Sequence, residues 1–285
     1  MTNTPIQRDS FIERDARRRA LALLDPGTFR ELLDPFQRLS SPWLPRQGIV
    51  AQADDGVVVA RGTLDSQPAV VLAIEGAFQG GSMGEVSGAK IAGALELAVE
   101  DNRRGIPTRA VIVFETGGVR LQEANLGLAA IAEIHAAIHE LRTFGPVIGI
   151  SAGVVGCFGG MSIAAGMCSY LLVTREARLG LNGPSVIEQE AGVAEYDSRD
   201  RPFIWGLTGG EQRQATGLVD ACLDDDTAAI RAQVLAWLRA DAPKPQRSEQ
   251  IEYYLERLMH VDVTNQPSPE DVRALYAAAR AGDPS

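Results

Sequence analysis

The sequence has little of what marks several protein classes. Three cysteines, Cys157, Cys168 and Cys222, occur in 285 residues. None forms a CxxC pair and each sits among small or apolar neighbours. Reduced, buried thiols are therefore expected, not a disulfide framework or a zinc site. Basic residues are in deficit, since 27 Lys+Arg against 37 Asp+Glu leaves a net charge of −10. Such a chain carries no general basic field for nucleic acid or for an anionic membrane. Its apolar runs fall short of the roughly 18 residues that a membrane helix needs. Residues 1–20 lack the apolar stretch of a secretory signal, so the cytoplasm is the expected compartment.

Glycine, by contrast, is plentiful, with 29 residues in a composition that is 45% hydrophobic and 22% charged. That balance and length fit a soluble globular chain of one large or two small domains with a sizeable core. Hydrophobic patterning gives an α/β alternation. A charged helix is expected over 10–33, broken at Asp25-Pro26-Gly27, with a proline-bearing loop over 34–48. Adjacent strands follow at 56–64 and 68–76. The glycine-rich stretch 78–88 opens a helix that Gly105 and Pro107 stop. Strands are expected at 109–115, 146–151, 169–174 and 177–184, with a long helix from about Leu121 to Arg142 and a loop entering a helix over 153–166. From about 203 the chain reads as helical. The organisation is an N-terminal helical segment and linker (1–50), a core (51–240) and a helical tail (241–285).

The glycines concentrate at strand-to-helix junctions. Gly117 and Gly118 follow strand 109–115. Gly156, Gly159 and Gly160 follow strand 146–151, and Gly80 and Gly81 follow strand 68–76. A glycine pair there lets the backbone approach a ligand and leaves N–H groups unpaired at the helix start. Such donors, aided by the helix dipole, suit an oxyanion. The bland alternative is tight strand–helix packing, but repetition at three junctions favours chemistry.

Other constellations are weaker. Gly149-Ile150-Ser151-Ala152-Gly153 matches the nucleophile-elbow pattern, with Asp220 or Asp224 and His260 as formal partners. The glycine-rich segment after Ser151 and the helical setting of His260 argue against a hydrolase. His135 and His139 have metal-ligand spacing but no evident third ligand, and flank an apolar stripe at the helix–core boundary. Arg14, Arg17, Arg18 and Arg19 read as a solvated helix face. Asp224, Asp225 and Asp226 read as charges at a helix N-terminus.

The junctions also carry a resemblance. ARRRALALLDPGTFREL (16–32), DGVVVARGTLDSQPAVVLA (55–73), FQGGSMGEVSGAKIAGALELAVEDN (78–102), ETGGVRLQEA (115–124), GVVGCFGGM (153–161), LGLNGPSVIEQ (179–189) and LTGGEQRQATGLVDA (207–221) occur in the order seen in the carboxyltransferase β-subunit group of the crotonase superfamily. The chain resembles most closely its biotin-independent malonate decarboxylase branch. A four-cysteine zinc ribbon is missing, GCFGGM departs from the acetyl-CoA carboxylase pattern, and the helical tail fits the decarboxylase branch better.

The resemblance implies a crotonase-type spiral of ββα units around a thioester. It implies decarboxylation of a malonyl thioester to an acetyl thioester through an enolate, without biotin. The thioester would sit on a CoA-like (phosphoribosyl-dephospho-CoA) prosthetic group of an acyl-carrier subunit, with no cofactor on this chain. A homologous γ subunit and an acyl-carrier transferase (α) subunit would be the other partners. Gly117, Gly118 and Val119 would form one oxyanion set, with Gly159 and Gly160 opposite. Gly156 and Cys157 would line the substrate, Gly80, Gly81 and Ser82 its channel, and Lys90 or Arg120 would meet carboxylate or phosphate. The alternatives are a biotin-dependent acyl-CoA carboxyltransferase subunit and a non-catalytic scaffold.

Overall fold

A computed structural model describes residues 8–262, 264 and 267–282. Its centre is a seven-stranded sheet in consecutive order: β1 (Arg30–Leu32), β2 (Val57–Leu64), β3 (Gln67–Ile74), β4 (Arg109–Val113), β5 (Val147–Ser151), β6 (Tyr170–Thr174) and β7 (Ala221–Leu223). β1–β2 and β2–β3 are antiparallel, and every later pair is parallel. The parallel strands are linked through α2 (Glu85–Arg103), α3 (Asn125–Leu141) and α4 (Gly160–Met167).

Period-two side-chain alternation sends each strand into two cores. Val70, Leu72, Ile112, Leu171 and Val173 pack with α2, α3 and α4. Val71, Val111, Ile148, Ile150 and Leu172 pack on the other face, with α1 (Ala16–Leu23) and α8 (Thr227–Arg239). The crossovers α2, α3 and α4 all pack on one face, and parallel crossovers of one hand wind a chain in a single direction. The strand order never reverses, so this is a spiral and not a doubly wound sheet.

The N-terminal region corrects the sequence reading. Helix covers only Ala16–Leu23, because Asp15 caps it by accepting from the Arg18 N–H at 2.7 Å. After the turn at Gly27 the chain is extended and Arg30–Leu32 joins the sheet, paired with Val59, Ala60 and Arg61. A three-residue edge strand is too short to show a period. The same reason hid β7 within a stretch read as helical.

The strand expected at 177–184 is reduced to isolated bridges from Arg178 and Leu179, and Pro184 then opens α5 (Pro184–Ala191). Helices α6 (Arg201–Thr208) and α7 (Gly210–Ala215) follow. As expected, the acidic run starts a helix, since Asp226 accepts from the Ala229 N–H at 2.8 Å as the α8 cap. Asp225 instead accepts from the Phe11 and Ile12 N–H groups at 2.8 and 3.0 Å, tying the N-terminal segment to α8.

In the tail, α9 (Ile251–Leu258) and α10 (Pro269–Gly282) are anchored just upstream. There Arg247 donates to the carbonyls of Gly166 and Cys168 and pairs with Asp220. Among the described residues, no helix is long and apolar enough to cross a membrane.

Candidate active site

The three glycine junctions meet at the carboxyl ends of β3, β4 and β5. The Gly117 N–H donates to the Gly80 carbonyl at 2.8 Å, and a Cβ on Gly81 would lie 1.9 Å from the Glu115 carbonyl oxygen. The Thr116 N–H donates to Gly156 at 2.8 Å, and the Phe158 N–H to Thr116 at 3.0 Å. Gly118, at φ +109°, lies directly on Gly159, where a Cβ would come within 2.9 Å of the Gly118 Cα. Two loops cross here, backbone on backbone. A side chain at either residue would part them.

This crossing sorts the donors. The Gly117 N–H is taken by Gly80, the Gly118 N–H by the Thr116 hydroxyl at 3.0 Å, and the Gly159 N–H by the Leu181 carbonyl at 2.7 Å. These three residues set the approach of the loops but offer no N–H to a ligand, which corrects the sequence expectation. The Val119 N–H has no acceptor among the described residues, and Gly160 begins α4, where the first N–H groups have no intrahelical partner. Val119 N is 3.6 Å from the place a Gly159 Cβ would take, so these donors are neighbours from different loops. Both residues are partly exposed. Such a pair stabilises negative charge on an oxygen placed between them.

A buried ionic frame holds the loops. Glu115, at the mouth of β4, pairs with Arg19 of α1, and its carboxylate is wedged against Gly76 and Gly153. Arg19 also donates to the carbonyls of Phe11 and Ile12 at 3.1 and 2.7 Å. The supposed solvated arginine face therefore points one member into the core.

Arg120 is 1% exposed. Its Nη1 reaches both oxygens of Asp55 and Oε1 of Glu123 at 2.9 Å each, and its Nη2 reaches the Ser82 carbonyl at 2.9 Å. Asp55 also accepts from the Ser87 N–H at 3.0 Å, and Glu123 from the Glu85 N–H at 2.6 Å. The guanidinium thus pins the start of α2 to the exit of the first loop and is not presented to substrate.

Lys90 is likewise committed, donating to the carbonyls of Asp54 (2.8 Å) and Val57, and burial lowers its pKa. Ser82 remains half-buried at the junction, where Arg120 engages its carbonyl. Cys157 lies in the hydrophobic core, fully buried, and burial pushes its thiol well above the ordinary range. This core placement departs from the expectation that Cys157 lines the substrate. Burial also pushes the Cys168 thiol up to about 12.

Sequence reasoning assigned no site role to Glu115, Asp55 and Glu123, and placed Arg19 on a solvated face. Glu115 and Glu123 stand inside the ETGGVRLQEA motif, which was the available signal. Arg19 and Asp55 also lie in quoted motifs (16–32 and 55–73), but those motifs do not reveal their pairings, because the partners lie 96 and 65 residues away along the chain. Among the described residues His135 meets no third ligand. Its Nε2 lies 2.9 Å from the Gly160 carbonyl, so α3 braces the second loop. Ser151 ends β5, is fully buried, and its hydroxyl has no partner among the described residues, while His260 is exposed in the tail.

Residues 13–282 match the carboxyl transferase domain model. The chain belongs to that family. Among its relatives, the malonyl-S-ACP:biotin-protein carboxyltransferase MADC of Malonomonas rubra is 37% identical over 97% of this chain and 91% of its own length. A chain of a Pseudomonas malonate decarboxylase hetero-tetramer, solved in complex with malonate, is 69% identical. It has a TM-score of 0.93 over 95% of this chain and 98% of that one. The Pseudomonas MdcD–MdcE hetero-dimer gives 62% identity and a TM-score of 0.76 over 90% of this chain and 100% of that one. The carboxyl transferase family thus supplies the fold expected from the motifs, a crotonase-type spiral with a helical tail.

Proposed function

We propose that this chain is the β subunit of a malonate decarboxylase, in which it removes CO₂ from a malonyl thioester on an acyl-carrier subunit. The observation that carries the mechanism is the pair of unpaired N–H groups, Val119 and Gly160, brought together by the contact of Gly118 with Gly159. Full-length likeness to the Pseudomonas decarboxylase chain at 69% identity supports malonyl as the acyl group.

In the reaction the bond between the methylene carbon and the carboxylate breaks. Its electron pair moves into the enolate, and charge collects on the thioester oxygen. The two N–H donors hold that oxygen, and stabilisation that exists only as charge develops is what lowers the barrier. A proton then takes the place of the departed CO₂ on carbon.

The thioester arm, a CoA-like phosphoribosyl-dephospho-CoA group, belongs to the carrier, and backbone donors fit its oxygen without any side chain. A homologous γ subunit and an acyl-carrier transferase α subunit complete the complex, and its location is cytoplasmic. No biotin is required, because the carboxyl leaves as CO₂.

The Malonomonas relative's name supports a second reading, carboxyl transfer to a biotin protein. Both readings share the enolate and differ in the fate of the carboxyl group. Purified with its γ and carrier partners, the complex is expected to release CO₂ from the malonyl thioester at a rate unaffected by added biotin. Release that depends on biotin would replace the decarboxylase reading with the second one. Ser151→Ala is expected to keep turnover within about twofold of the parent and to leave the melting temperature equal or higher, because it deletes an orphaned buried hydroxyl. Abolished turnover would reinstate the serine as a nucleophile.

A further inference from the structure

Beside the second glycine loop lies an arginine-lined cleft of about 610 Å³, bordered by Val154, Glu176, Arg178, Arg199, Arg201 and Trp205. That volume is within the range of small-molecule sites. Arg178 is held rigidly there. Its Nη2 donates to the carbonyls of Val154 and Val155 at 2.8 and 3.3 Å, and its guanidinium lies 4.7 Å from the Trp205 ring centroid and 5.7 Å from that of Phe158. Phe158 immediately precedes Gly159, so the cleft and the Gly160 N–H share one loop.

The charge of the cleft is unbalanced. Arg199 has Asp197 at 3.3 Å, but neither Arg178 nor Arg201 has a carboxylate within 4.0 Å among the described residues. Glu176 stands on the border without pairing with either. The Arg178 Nε is buried with no partner among the described residues, and burial together with nearby Arg201 lowers the guanidinium pKa. On a chain of net charge −10, two uncompensated arginines in one concavity form a local anion site. A planar guanidinium pre-set by stacking, as in Arg178, matches phosphoryl oxygens better than a point charge does.

We propose that this cleft binds the phosphate of the arm that delivers the thioester to the Val119 and Gly160 N–H groups. The phosphoryl site stands on the cleft itself, and only its assignment to the arm rests on the thioester reading above. Free phosphate esters and the carrier-borne arm share this chemistry.

The test uses the assembled complex and measures binding of inorganic pyrophosphate, coenzyme A and pantetheine, which lacks phosphate. Arg201→Glu, at an exposed position, is expected to weaken pyrophosphate and coenzyme A by roughly tenfold or more, as for loss of charge-assisted bonds. Pantetheine binding should be unmoved, and Arg201→Lys should stay within about threefold of the parent. Arg104→Glu, at the end of α2, controls for overall charge and should change nothing.

Equal effects on coenzyme A and pantetheine, no effect on either, or an equal effect from Arg104→Glu would each overturn the proposal. Displacement of pyrophosphate by malonate would also overturn it, since the cleft would then read carboxylates. Binding is measured without turnover. A complex that binds through Arg201 yet releases no CO₂ would refute the decarboxylase and leave the cleft standing. CO₂ release with Arg201-independent binding would do the reverse.

Discussion

Gly118→Ala is expected to reduce turnover of the malonyl thioester by about 10²–10³-fold, the scale of losing one oxyanion donor. At φ +109° an alanine is strained, and its Cβ would meet the Gly159 Cα at 3.2 Å and the Phe158 carbonyl at 3.3 Å. The loops can relieve that contact only by moving apart, which carries the Val119 N–H away from the Gly160 N–H. Donors displaced by a fraction of an ångström no longer converge on one oxygen. The measurement is kcat in the assembled complex, with assembly checked by size-exclusion chromatography. Gly93→Ala in α2 is the control, since a Cβ there meets nothing within 4 Å. It should retain activity. Unchanged turnover in Gly118→Ala would remove the loop crossing from the mechanism.

Arg120→Met is expected to lower unfolding stability by about 3–5 kcal/mol, the cost of leaving buried charge without its partner. The side chains of Asp55 and Glu123 are both 0% exposed, and neither has another cation in an ion pair among the described residues. That loss is a large fraction of the roughly 5–15 kcal/mol that holds a typical domain together. Denaturant unfolding at neutral pH reads it directly. Adding Asp55→Asn and Glu123→Gln to the methionine variant should recover part of the loss, because the stranded charges are gone. A midpoint equal to the parent's would show that the triad holds nothing in place. Turnover should fall as well, since the Arg120 N–H bonds the Met83 carbonyl at 2.8 Å, one residue beyond Val119.

Much of the fold was legible because its signals are local. The strands at 57–64, 67–74, 109–113 and 147–151 are runs of β-branched and aliphatic residues between turns, and their burial on both faces follows from that composition. Three-residue β1 and β7 were not legible, because pairing with a neighbour, and not their own pattern, makes them strands. The bridges around Leu179 were over-read for the same reason.

At the site, glycine position marked loops that the fold brings together, and named more N–H donors than remain unpaired. Whether a particular N–H is free depends on which carbonyl stands opposite, and those carbonyls belong to Gly80 and Leu181, distant along the chain. Arg120 shows the reverse failure. An arginine beside a glycine motif suggests a ligand, yet two carboxylates 65 and 3 residues away enclose it.

The sequence alone determined an α/β chain with glycine at three strand ends, a low count of cysteine and basic residues, and motifs shared with one family. These are properties of composition and short-range order. Tertiary structure decided which N–H groups stay unpaired, which charged side chains become frame, and that Arg178 and Arg201 border one cleft without an ion-pair partner among the described residues. Each of those outcomes depends on groups far apart in sequence arriving within a few ångströms, where hydrogen bonding and charge pairing operate.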